Sequence, residues 1–106
     1  MAEHQLSDDD NGAVIDARVG DVIELRLGET ASGGYRWTFD DAGADAIEPL
    51  PPTYEFEAGK VGGTSIAHFR FIVKGGGKSA IRLEYKRPWE LGEPALRDFE
   101  VVVVAR

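Results

Sequence analysis

Cysteine is absent from the 106 residues. No disulfide framework, thiol nucleophile or thiolate metal site is therefore available, and a chain of this length builds a single core without such staples. Histidine is nearly absent too, with His4 and His68 only. His68 lies on a strand pattern beside Arg70 with no acid in the same run, so it reads as a surface residue rather than a ligand or base. Asp8 to Asp10 and Asp40-Asp41 read as solvated loop charge, so no catalytic residue, metal or cofactor is expected. Long apolar runs are missing, and nothing approaches the ~20 residues of a membrane span. Met1-Ala2-Glu3-His4-Gln5 lacks the basic and apolar segments of a secretory leader, so the expected location is cytoplasmic as written, or secreted or periplasmic if a leader was removed. Basic residues are in the minority, 12 against 19 acidic, for a net charge of −7. That balance disfavours nucleic acid or an anionic membrane surface and suits a basic or neutral protein partner.

Helical periodicity is also lacking, and what the chain has instead is alternation. Residues 1–12 are polar and end in Asp10-Asn11-Gly12, which reads as a mobile arm ahead of one domain over 13–106. Ala13 to Val19 is a weak strand, and Val22 to Leu27 a stronger one with Ile23, Leu25 and Leu27 on one face. Tyr35, Trp37 and Phe39 open the next strand on an aromatic face, and Trp37 reads as core. Asp40 to Pro52 is too broken for a helix and reads as a connection between sheets. Tyr54 and Phe56 mark a short strand, and Ala67, Phe69, Phe71 and Val73 give the inward face of a longer one. Ile81, Leu83 and Tyr85 alternate in the same way. Val101 to Val104 is a β-branched run suited to an internal strand. The count is about seven to eight antiparallel strands with glycine-rich turns, the signature of an all-β, two-sheet sandwich.

Lys74-Gly75-Gly76-Gly77-Lys78-Ser79 ends like a phosphate-binding loop but does not qualify as one. That motif needs a glycine where this chain has Ile72, and a helix where a strand follows. A hairpin turn is expected there instead.

Three other loops stand apart: Gly28 to Gly34, Gly59 to Ser65, and Arg87 to Leu96. In a Greek-key sandwich, loops two strands apart commonly emerge at the same end, where they form a protein-binding edge. In the third loop, Pro88 stops the strand, and Trp89 follows between Arg87 and Glu90, an indole in company that lets it reach solvent.

At these loops the chain resembles the chagasin family, proteinaceous inhibitors of papain-like cysteine proteases. The family's first loop reads Asn-Pro-Thr-Thr-Gly, then Tyr or Phe, any residue, and Trp; here the run is Thr30-Ala31-Ser32-Gly33-Gly34-Tyr35-Arg36-Trp37. The second signature, Gly-x-Gly-Gly, corresponds to Lys60-Val61-Gly62-Gly63, and the third, Arg-Pro-Trp, is intact as Arg87-Pro88-Trp89. Order and separation match from about Val14 to the C-terminus. The resemblance implies an immunoglobulin-like sandwich, monomeric, with no enzymatic activity, whose three loops wedge into a protease cleft. By position, Ser32, Gly33 and Gly34 would sit over the catalytic thiolate, Val61, Gly62 and Gly63 would line the substrate groove, and Trp89 would fill an apolar surface on the leaving-group side. Departures fall mainly in the first loop, where Thr30 and Ala31 replace Asn and Pro, and Gly33 replaces the second Thr. Lys60 stands where the second loop's leading glycine belongs. The looser first loop keeps a second reading open: a non-inhibitory immunoglobulin-like interaction module on the same scaffold.

Overall fold

The computed structural model describes residues 2–30, 34–41, 44–56, 64–87, 89–90 and 92–106. Nine strands appear among them: β1 (Glu3–Ser7), β2 (Val14–Ala17), β3 (Val22–Thr30), β4 (Arg36–Asp40), β5 (Ile47–Pro49), β6 (Thr53–Phe56), β7 (Thr64–Val73), β8 (Gly77–Lys86) and β9 (Arg97–Ala105). One sheet runs β1-β3-β7-β5, with β6 also paired to β7; the other runs β2-β9-β8-β4. The two face each other in the two-sheet sandwich that the alternation predicts, immunoglobulin-like as the family resemblance implies.

Period-two placement of apolar residues explains both inner faces. Ile23, Leu25 and Leu27 of β3 and Ala67, Phe69, Phe71 and Val73 of β7 are buried against Trp37 of β4, Ile81, Leu83 and Tyr85 of β8, and Phe99, Val101 and Val103 of β9. The valine-rich β9 is internal, between β2 and β8.

Four expectations change. First, the polar start of the chain is a paired strand rather than a free arm. β1 lies parallel to β3, from Glu3 opposite Val22 to Ser7 opposite Arg26, and β2 lies parallel to β9, so the strands are not all antiparallel. Leu6 supplies a buried side chain, and buried Asp21 ties the segment down. Its carboxylate accepts the Ala2 N–H at 3.0 Å and the Arg18 N–H at 3.0 Å, and pairs with His4 Nε2 at 2.9 Å. Second, the stretch 40–52 contains the three-residue strand β5, paired to the end of β7. Third, Lys74 to Gly76 does not close a hairpin. β7 ends in one sheet and β8 begins in the other, opposite Ala105, so this turn carries the chain across the sandwich. The Lys74 and Gly75 amides bond to the Ala46 carbonyl on the way. Turn composition reports that the chain bends, not which sheet it joins next. Fourth, His68 is on the outer face as expected, but neighbouring strands bring carboxylates to both ring nitrogens: Glu24 to Nδ1 at 3.2 Å and Glu55 to Nε2 at 3.1 Å. The His68 contact, followed by one from Glu3, holds Glu24 below the usual carboxylate range.

The Asp21 cluster carries a pH prediction. The His4 side chain, then the Ala2 and Arg18 amides, hold this carboxyl far below its ordinary value near 3.8. A carboxyl depressed in the folded state adds stability above its unfolded value, and that contribution is lost as the pH falls toward the folded value. Asp21→Asn is expected to unfold at a lower temperature than the wild type at pH 7, with the difference shrinking below about pH 4. Thermal unfolding from pH 7 to pH 2 checks this; a gap constant with pH would contradict it.

Candidate functional site

Strand register gathers three connections at one end of the sandwich. Thr30, at the end of β3, pairs with Thr64 at the start of β7, and Phe56, ending β6, pairs with Ser65. In the other sheet, Arg36 opens β4 opposite Lys86, and Tyr85 of β8 pairs with Arg97 at the start of β9. The links β3 to β4, β6 to β7 and β8 to β9 therefore leave from the same edge.

Trp37 stitches the two sheets together below that edge. It is buried as expected, its indole N–H donates to the Gly28 carbonyl at 3.0 Å, and its backbone N–H donates to Glu29 Oε2 at 2.9 Å. Its ring packs on Tyr85 with centroids 5.0 Å apart, and the Arg97 guanidinium lies over it at 5.4 Å from its centre. Arg36 reaches back to Glu29 at 3.8 Å and lies over the Tyr54 ring of β6 at 4.6 Å.

Above Trp37 the edge is aromatic and preorganised. Tyr35 stacks on Tyr85 at 5.7 Å, and the Arg87 guanidinium covers the Tyr35 ring at 4.7 Å. Arg87 is in turn held by Glu90 at 2.8 Å, which, together with Tyr35, reinforces its positive charge. Trp89 is 67 % exposed. Its ring nevertheless has a seat: it lies against Gly34, where a methyl group would overlap it. Gly34 also has φ +76°, a conformation that side-chain-bearing residues rarely adopt. The glycine is thus required twice, by the backbone and by the ring.

Of the residues singled out from the sequence, Gly34, Tyr35, Arg87 and Trp89 come together here, and the Thr30 backbone ends β3 beside them. Ala31, Ser32, Gly33, Lys60, Val61, Gly62, Gly63 and Pro88 lie outside the described residues. Sequence reasoning missed Glu29, a carboxylate only 5 % exposed at the root of the first connection. The signal was present, since the inward series 23, 25, 27 continues to 29. Among the described residues, no group of three or more acidic or histidine side chains is placed to hold a metal.

A family model described as the chagasin family peptidase inhibitor I42 matches residues 16–103. Chagasin of Trypanosoma cruzi is 28% identical over 91 residues, covering 81% of this chain and 83% of its own. Amoebiasin-2 of Entamoeba histolytica is 31% identical over 108 residues, covering 99% of this chain and 87% of its own. The crystal structure of a cysteine protease inhibitor, EhICP2, from Entamoeba histolytica superposes with a TM-score of 0.85 at 31% identity, covering 100% of this chain and 97% of that one. Sequence and fold agree over nearly the whole length, and the chain belongs to the chagasin family of peptidase inhibitors, proteins that block proteases and are not themselves enzymes.

Proposed function

We propose that this protein is a reversible, substrate-competitive inhibitor of papain-like cysteine proteases, acting as a monomer that occludes the active-site cleft with its three clustered connections. The observation that carries the reading is Trp89, exposed to 67 % yet seated on Gly34. An aromatic side chain held at an edge before binding loses little freedom on docking, and a Trp in a desolvated pocket is a typical hot spot. Ser32, Gly33 and Gly34 are assigned to the catalytic thiol, Val61 to Gly63 to the substrate groove, and Trp89 to the leaving-group side. Blocking needs no reactive group, because glycines permit close backbone approach and the bound loops exclude substrate. An interface of roughly 1,600 Å² in total is expected.

The test is a titration of active-site-quantified papain with the purified protein at fixed fluorogenic substrate. Stoichiometric, reversible loss of activity that substrate competes away is the expected result. Absence of inhibition at micromolar protein with the sandwich folded would favour the second reading, a non-inhibitory interaction module. Replacement of the family's Asn-Pro by Thr30-Ala31 is the feature that favours that alternative.

A further inference from the structure

We propose that Glu29 is the positioning residue of the first connection, a buried carboxylate that clamps the loop from below and supplies the restraint that Asn-Pro would supply above. This rests on the inhibitor reading for its effect on binding, though not for the clamp itself. Glu29 continues the inward face of β3 after Ile23, Leu25 and Leu27, all of them fully buried, and is itself 5 % exposed. An apolar residue would fill that position at no electrostatic cost. A carboxylate there is unfavourable unless its oxygens are matched, and both find partners on β4. Oε2 accepts the Trp37 N–H at 2.9 Å, and Oε1 faces the Arg36 guanidinium at 3.8 Å.

The choice of that N–H matters. Among the described residues β4 is an edge strand, paired only to β8, and Glu29 takes a main-chain donor that β8 does not. The Trp37 indole closes the same junction by donating to the Gly28 carbonyl at 3.0 Å. Residues 28–29 and 36–37 are thereby locked together, and residues 30–35 start and finish at fixed points. The influence extends further, because Arg36 lies over Tyr54 of β6, the strand that leads into residues 57–63. One carboxylate thus braces the roots of two of the three connections.

Glu29→Ala, Glu29→Asp and Glu29→Gln separate this role from simple support of the fold. Asp keeps the charge but is too short for the Trp37 N–H, whereas Gln keeps the acceptor without the charge. Amide hydrogen exchange of residues 34–37 is read in the absence of any protease, alongside inhibition of papain and thermal unfolding. Expected are faster exchange and inhibition weakened about tenfold or more in the Ala and Asp variants, since ordering even one freed residue costs about that much. The Gln variant is expected to stay near wild type in both. Ala31→Pro added to Glu29→Ala is expected to restore inhibition without restoring the unfolding temperature. If Glu29→Ala does not fold, the Asp variant decides. Unchanged exchange at 34–37 in folded Ala or Asp variants, or unchanged inhibition despite faster exchange, would overturn the proposal. A wild-type protein that leaves papain active while the variants show the expected exchange would sink the inhibitor reading and leave the clamp standing.

Discussion

Trp89→Ala is expected to weaken inhibition of papain by about 2 kcal/mol or more, roughly a 30-fold rise in inhibition constant, while leaving the unfolding transition almost where it was. The two halves of that result come from one feature, the exposure of the ring. At 67 % exposed, the indole buries little in the free protein, and substitutions at such positions usually change stability by no more than about 0.5 kcal/mol. Its apolar surface is therefore available to the partner, and the whole cost of truncation appears on binding. Inhibition kinetics with papain, paired with a thermal melt, check both halves. An unchanged inhibition constant in a folded variant would remove Trp89 from the binding edge.

Gly34→Ala is expected to do comparable damage without touching the indole. A residue with a Cβ at φ +76° carries about 1 kcal/mol or more of backbone strain. Its methyl group would also overlap the Trp89 ring, so the indole must leave its seat. The expected outcome is a loss of about 2 kcal/mol in affinity together with about 1 kcal/mol in stability. Because both substitutions act through one contact, the double variant should fall well short of the sum of the single losses. Fully additive losses would mean that the Gly34 seat has no part in presenting Trp89.

The legible and illegible parts of this molecule divide along a physical line. Alternation along single strands located the inner faces, with Trp37, Phe71 and Val101 buried where period two puts them. Within-strand patterns are local, and so were the three loops, whose glycines and Arg-Pro-Trp stand out against any β background. Contacts between strands distant in sequence were not visible. Glu24 and Glu55 reach His68 from β3 and β6, and nothing in the run around His68 announces either. β1 was missed because its stabilising partner, Asp21, lies 17 residues from His4 and beyond a turn. Glu29 was hidden differently. A charged letter after a glycine looks like loop, although its place in the 23, 25, 27 series pointed inward.

The parallel course of β1 along β3 and of β2 along β9 has a consequence for how the molecule is presented. β1 runs in the direction of β3 toward the loop edge, so Ala2 is left beside Asp21 at the far pole, and the Arg106 amide bonds to Ala17 there as well. The nine residues of β9 separate Arg106 from the loop edge by roughly 30 Å. A tether, bead or fused domain attached at either of these positions sits on the opposite side from Trp89. Immobilised copies thus present the Trp89 edge outward, as the proposed mode of inhibition requires, and several can be displayed on one support without their anchors crowding that edge.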